Sequence, residues 1–252
     1  MKIAVCVKQV PEAGQRRLDP GTKRLDRSGE GALNHFDGNA VEQALRLKEA
    51  TGDGEIVLVS MGPERAADAL RKALAMGADR AVLIADEAAA GSDLVATSRV
   101  LAAALEREQP DLVLFGQQAD DSDGAVLWAA VAERLRRPVV SQVAELTLTE
   151  GAVKGKRQTE FGYDVIETPL PAVVAVSDAI NEPRYPSLKG IMGAKKKPFD
   201  MVTLSDLDVV AESRTTVLGL ADPPSKGDAR RIEDDGNAAQ AIVEFLAEKR
   251  LI

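Results

Sequence analysis

Four times before residue 136 an apolar run gives way to a segment with helical spacing, and this alternation limits the fold more than any other feature. The runs are Lys2 to Val7, Glu55 to Ser60, Arg80 to Ala85 and Leu112 to Phe115. Each is apolar on both faces, as a buried parallel strand must be. A helix with Val41, Ala44 and Leu45 on one face follows the first and ends at Gly52 to Gly54; Asp37 or Asn39 is placed to cap it. A second starts at Met61-Gly62-Pro63 and runs through Leu70 and Leu74 to Gly77. A third, Asp93 to Glu108, aligns Leu94, Leu101 and Leu105 and stops at Pro110. The fourth opens at Gly124 and carries Val126, Leu127, Val131 and Leu135. The pattern predicts an α/β protein: a doubly wound, mostly parallel sheet with helices on both faces.

Two stretches interrupt the alternation. Val10 to Gly31 is rich in Gly, Pro, Asp and Arg, and Pro20-Gly21 predicts a turn between short strands at Arg17-Leu18-Asp19 and Arg24-Leu25-Asp26. Such a long excursion early in a domain is often functional. After Pro138 the helices drop out. Val139 to Thr149, Ala152 to Gln158 and Val173 to Val176 read as antiparallel strands extending the sheet, with turns at Gly151 and Gly162. A short helix is expected from Ser187, followed by Lys195, Lys196 and Lys197 as a solvated face. Met201 to Leu220 holds two short extended pieces. Residues 221–236 have linker composition, and Ala238 to Leu251 is an amphipathic helix. The expected division is an α/β nucleotide-binding domain over 1–220, then a linker and C-terminal helical arm over 221–252 that contacts a partner subunit.

The corner after the fourth strand is the candidate site. Ligands of open α/β sheets bind beyond the strands' carboxyl ends. A helix N-terminus there offers free N–H groups and a positive dipole end to an anion, usually a phosphate. Asp120, Asp121, Ser122 and Asp123 offer several N-caps. The strand ends at Val7-Lys8, Ser60-Met61 and Gly116-Gln117 should converge on one crevice, with Asn34 at its rim. No GxGxxG and no Walker-type lysine is present.

Composition removes other classes. A net charge of −8 argues against general nucleic-acid binding. The single cysteine, Cys6, cannot form an internal disulfide and reads as a small buried hydrophobe. One histidine, His35, in a loop before a helix, supports neither a Ser-His-Asp triad nor a zinc cluster. No apolar stretch is long enough to span a bilayer, and an N-terminus that begins as a strand predicts no targeting segment. The expectation is a cytoplasmic binding module rather than a self-contained catalyst.

Six blocks then carry a resemblance. KIAVCVKQVPE, LNHFDGNAVEQALRLKE, ALAMGADRA, FGQQADDSDG, GKRQTEFGYDVIETPLPAVVAV and NEPRYPSLKGIMGAKKKP resemble the β subunit of electron-transfer flavoprotein, the FixA-like family, from Met1 to about Asp208. The resemblance implies a heterodimer with a larger α subunit, FAD held mostly by that partner at the junction, and AMP bound structurally by the β subunit. In electron-bifurcating members a second FAD takes the AMP crevice. It also implies electrons taken from flavin dehydrogenases, such as acyl-CoA dehydrogenases, and passed to a membrane quinone reductase or similar acceptor. The implied cofactor contacts are Cys6, Asn34, Ser60, Met61, Gly116 and the loop with Asp121, Asp123, Gly124, Ala125, Val126 and Leu127. Leu188 would anchor the dehydrogenase, in a segment with Ile191 and Met192, framed by Arg184 and Lys189.

The chain departs from the family pattern at His35, Gly38, Phe161 and Asp164. It has Ala13 where some relatives carry a tyrosine near the flavin, and Ala125-Val126-Leu127-Trp128 where relatives show Asn-Gln-Thr or the bifurcating Thr-Ala-Gln-Val-Gly-Pro. Without a hydroxyl in that loop, a phosphate would depend on backbone N–H groups. Two other readings are a stand-alone adenine-nucleotide sensor and an ATP-using enzyme of similar fold. The first would be a flavin-free homodimer; the second needs a glycine-rich phosphate grip.

Overall fold

The strand Lys2–Cys6 (β1) is paired on both edges, and Ile3 to Cys6 are all buried. Around it the computed structural model describes residues 1–12, 17–221, 224, 231–234 and 236–252. Chain order continues with β2 (Gln9–Pro11), β3 (Leu18–Asp19), β4 (Arg24–Leu25), β5 (Gly31–Leu33), α1 (His35–Thr51), β6 (Glu55–Met61), α2 (Ala67–Met76), β7 (Arg80–Ile84), α3 (Leu94–Glu108), β8 (Leu112–Gly116) and α4 (Leu127–Leu135). Then come β9 (Val139–Thr149), β10 (Ala152–Thr159), β11 (Gly162–Pro169), β12 (Ala172–Val176), α5 (Leu188–Ala194), β13 (Phe199–Val202) and α6 (Ala238–Glu248). The chain divides into two compact units, Met1–Val217 and Leu218–Ile252.

Nine strands of the first unit form one sheet, in the order β11-β10-β9-β12-β8-β1-β6-β7-β13. From β9 to β13 in this order every neighbouring pair is parallel; the β9–β10 and β10–β11 pairs are antiparallel, so Val139 to Thr149, expected as an antiparallel strand, is parallel to β12 on one edge and antiparallel to β10 on the other. Alternate side chains feed two cores. Ile3, Val5 and Val7 pack with α1 and α2 on one face. Ala4 and Cys6 pack with α3 and α4 on the other. The doubly wound class is therefore as the alternation predicted. The chain runs β1, β6, β7 outward and then returns to place β8 on the opposite side of β1. That reversal makes the carboxyl ends of β1 and β8 the topological switch point.

Several expectations need correction. Val173 to Val176 belongs inside the sheet, parallel to both β8 and β9, and β12 is buried along its whole length. The unbroken AVVAV run, with no polar alternation, suits a strand covered on both faces. Gly162–Pro169 is a strand that the sequence does not announce, because its mostly exposed side chains leave little pattern. Asn34, not Asp37 or Asn39, is the N-cap of α1, and His35 is the first helical residue. None of Asp120 to Asp123 caps α4, whose N-cap is Val126. After Met201 only Val202 remains in β13, and residues 209–217 form no strand. The β3–β4 hairpin, the turns at Gly151 and Gly162, and the start of α5 at Ser187 agree with expectation.

In the second unit α6 forms over most of the span expected from its periodicity. The linker reading falls largely on 222–223, 225–230 and 235, outside the described residues, as does Ala13.

Candidate ligand cleft and docking helix

A cleft of about 1270 Å³ opens over the carboxyl ends of β1, β6 and β8. Cys6, Asn34, Met61, Gly116, Gly124, Ala125, Val126 and Leu127 line it. Three expected contacts do not. Ser60 is buried at 2% exposure. Asp123 accepts from Gln118 Nε2 at 3.2 Å, and the buried Asp121 carboxylate turns toward Lys8 and Arg27. A resemblance carries over positions in a loop, but which of them face the ligand depends on how the loop is pinned.

The loop of residues 117–126 is pinned from four sides. Asn34 Nδ2 donates to the Gln118 carbonyl at 2.9 Å, and Asn34 Oδ1 accepts from Asp120 N at 3.0 Å. The helix-capping residue thus spends its side chain on the loop rather than on its own helix. The backbone N–H of His35 donates to Asp120 Oδ2 at 3.1 Å. Trp128 Nε1 donates to the Gln117 carbonyl at 3.0 Å. The Asp121 carboxylate, with no solvent exposure, receives Lys8 Nζ at 2.6 Å and the Arg27 guanidinium at 2.7 Å. Burial alone would raise the Asp121 pKa; the two cations outweigh it and hold the carboxyl below its usual value.

This pinning leaves the N-terminus of α4 open. Asp123 and Ala125 adopt φ of 45° and 46°, which turns the chain sharply at the helix entrance. No backbone N–H from residue 124 to 128 has an acceptor among the described residues. Consecutive free N–H groups at alternating left-handed residues form an anion nest, reinforced by the helix dipole. The contrast with α3 is informative. There Asp93 Oδ1 accepts from Ala96 N at 2.8 Å and occupies the N-terminus itself.

Sequence reasoning missed Asp37, which lines the cleft. Its carboxylate accepts from Lys8 N at 2.7 Å and is buried where α1 meets the ends of β1 and β8. Burial raises its pKa from 3.8 to about 7, against the pull of Asn34, Lys8 and Gly116. Burial, and then the Asp37 charge, push the Cys6 thiol up, so it stays protonated. An Asp in the first turn of a helix looks like a dipole partner; nothing local distinguishes one that turns inward. The pairing of Lys8, at a strand end expected on the crevice, and of Arg27, in the excursion that reads as functional, with Asp121 was also missed. His35 packs edge-on against Phe36 with ring centroids 5.8 Å apart.

The second candidate surface is α5. Ser187 Oγ accepts from Gly190 N at 3.1 Å and caps it. A Cβ on Gly190 would collide with the Ala75 carbonyl oxygen, so glycine lets α5 lie directly on α2. The preceding segment is tied to α1. Asn181 exchanges bonds with Asn39, and Arg184 donates to Glu42 at 2.7 Å and Glu49 at 2.6 Å. Arg184 is thus engaged within the chain. Leu188, Ile191 and Met192 remain 75%, 51% and 67% exposed, beside the exposed Lys189. Lys195 and Lys196 are exposed as expected, but Lys197 is not a free surface charge. Its Nζ donates to the Leu74 and Ala78 carbonyls at 2.9 and 2.6 Å, closing the end of α2.

Fold and cleft together define an open-sheet α/β binding module with its site at the switch point. Comparison with known proteins sharpens this. Residues 22–207 match the model of the electron transfer flavoprotein domain. The chain is 38% identical over 263 residues to an electron transfer flavoprotein subunit beta of Mycobacterium tuberculosis, covering 99% of each. It is 38% identical over 262 residues to the caffeyl-CoA reductase-Etf complex subunit CarD of Acetobacterium woodii, covering 100% of each. It is 42% identical over 228 residues to an electron transfer flavoprotein subunit beta of Thermoanaerobacterium thermosaccharolyticum, covering 90% of this chain and 86% of the relative. The chain belongs to the electron transfer flavoprotein family, as a member of its β-subunit branch. Among the described residues, no helix is long and apolar enough to cross a membrane.

Proposed function

We propose that this chain is the β half of an electron-carrying heterodimer, with AMP in the cleft and FAD at the junction with an α subunit. The observation that carries the nucleotide assignment is the uncapped N-terminus of α4, with its run of free N–H groups facing the switch-point cleft. Backbone N–H groups can hold a phosphate without a hydroxyl, which reconciles the site with Ala125, Val126 and Leu127. FAD supplies the redox chemistry when bound. The chain's own part is to bind, orient and dock: Asn34 and Asp121 keep the loop in place for the phosphate, and α5 meets the donor. The donors proposed are flavin dehydrogenases such as acyl-CoA dehydrogenases, and the acceptor is a quinone reductase or similar protein.

The test is composition. The complex with its α subunit is purified, its small molecules are released by acid, and FAD and AMP are counted per heterodimer. One of each is expected. A chain that binds no α partner and releases no AMP would overturn the reading. A second reading, with another FAD in the cleft, has one observation in its favour. At about 1270 Å³ the cleft exceeds the roughly 300–1,000 Å³ of ordinary small-molecule sites. Two FAD and no AMP would establish it.

The docking proposal has its own test. Leu188 is 75% exposed, so Leu188→Ala should leave the melting temperature within about 1 °C of wild type. An apolar anchor at an interface centre is commonly worth ~2 kcal/mol or more. The variant should therefore lower kcat/KM for reduction by a partner dehydrogenase by at least roughly tenfold. An unchanged value would remove α5 as the docking element.

A further inference from the structure

Residues 17–31, between β2 and β5, hold contacts to the connections on either side of the cleft. The hairpin is internally bonded: Lys23 N donates to the Asp19 carbonyl at 2.7 Å, Thr22 N to Asp19 Oδ1 at 2.7 Å, and Asp26 N to the Arg17 carbonyl at 2.7 Å. From it two arginines reach in different directions. Arg24 Nη2 donates to the Gly91 carbonyl at 2.9 Å, in the connection between β7 and α3. Arg27 Nε and Nη2 donate to Asp121 Oδ2 at 3.0 and 2.7 Å, in the connection between β8 and α4. β8 and β7 are separated in the sheet by β1 and β6. At the usual strand spacing that is about 14 Å. The two arginines thus tie one segment to connections on either side of the cleft, and Arg27, Glu30 and Gly31 of that segment line it.

We infer that residues 17–31 are a strap that holds the cleft shut over its ligand and swings off for ligand exchange. The anchors suit a reversible closure. Asp121 is a fixed post with no exposed side-chain surface, while Arg27 is 40% exposed and can return to water. When Arg27 leaves, Lys8 stays on the same carboxylate at 2.6 Å, so opening strands no buried charge. On the other wall the seat is shaped for the guanidinium. Gly91 has φ 81°, and a Cβ there would collide with Arg24 Nη1. Arg24 itself does not line the cleft, so its loss acts on closure and not on a ligand contact. Lys23 Nζ adds a weaker contact to the Val217 carbonyl at 3.5 Å.

The ligand in question rests on the proposed nucleotide reading, and the experiment keeps the two apart. Wild type, Arg24→Ala and Arg24→Ala/Arg27→Ala are purified as the complex with the α subunit. Release of radiolabelled AMP is followed in a chase with unlabelled AMP. Separately, AMP-free complex is exposed to a maleimide, and alkylation of Cys6 is read from the mass of this chain. Cys6 lines the cleft and is only 6% exposed, so its labelling reports opening whatever the ligand. Loss of one charge-assisted bond should speed both processes roughly tenfold, and loss of both anchors more. Wild-type rates of both release and labelling in the double variant would overturn the strap and leave the nucleotide reading standing. Faster labelling with no AMP bound by wild type would overturn the nucleotide reading and keep the strap.

Discussion

Replacing Gly116 by alanine should lower the melting temperature by roughly 5–10 °C and, on the proposed nucleotide reading, leave the cleft without AMP. The added Cβ would lie 2.5 Å from the Phe36 carbonyl carbon and 2.6 Å from both Phe36 Cβ and Asp37 Oδ1. Two of these atoms are held by the α1 backbone and the third by a buried carboxylate, so none can swing aside. The first turn of α1 must back away from β8. Overpacking of this kind costs ~1–3 kcal/mol, and each kcal/mol is worth about 2–4 °C in a chain of this length. The cleft suffers with the core. Asn34 immediately precedes α1 and clamps the loop through Gln118 and Asp120. Moving α1 loosens that clamp and with it the row of N–H groups before α4. Gly124→Ala is the matched control: it lies in the same loop, with no atom within 4 Å of the added Cβ and no left-handed φ. Thermal unfolding of the two variants, with their AMP content on purification, checks the argument. Equal stability of both would mean that α1 is not seated on Gly116.

Asp37 should make the protein's stability fall as pH rises through neutrality. Its folded pKa of about 7 lies above the ordinary 3.8, because burial disfavours the charged form. A raised pKa contributes stability that is complete below the unfolded value and lost as pH climbs to the folded one. The full span corresponds to about 4 kcal/mol, of which about 3 kcal/mol disappears between pH 5 and pH 8. Carboxylates such as Asp121 and Glu42, held below their usual range once their cations outweigh burial, act in the opposite direction at lower pH. The difference between wild type and Asp37→Asn isolates the effect. Urea unfolding at pH 5 and pH 8 should show wild type losing about 3 kcal/mol relative to the variant. A constant difference would place Asp37 in water rather than in the joint between β1, β8 and α1.

Elements whose energetics are local are legible in the residues themselves. β1, β6, β7 and β8 are continuous apolar runs because both their faces are covered, and a covered strand has no other composition available. The β3–β4 turn and the start of α5 follow from Pro-Gly and from a serine cap, which act over three or four residues. The convergence of the strand ends at Cys6, Met61 and Gly116 follows from alternation alone, because right-handed crossovers leave few topologies. Position in the sheet is less legible. Val173 to Val176 suits an edge strand or an inner one, and only pairing with both β8 and β9 puts it inside.

Side-chain assignments at the site divide along the same line. The four acidic and hydroxyl residues Asp120 to Asp123 look interchangeable as caps, since any of them could reach a nearby N–H. In the structure Asp121 is drawn to Lys8 and Arg27, 113 and 94 residues away, and Asp120 to the backbone of His35. Asn34 likewise gives up its own helix for Gln118, 84 residues on. Residue order alone carries the layered sheet, the corner where strand ends converge and the family of the chain. These depend on periodicity and on unbroken blocks of residues. Which groups of that corner face the cleft and which neutralise one another emerges only in the folded chain. Charges distant along the chain choose their partners only after the backbone has brought them together, and local propensity holds no record of that choice.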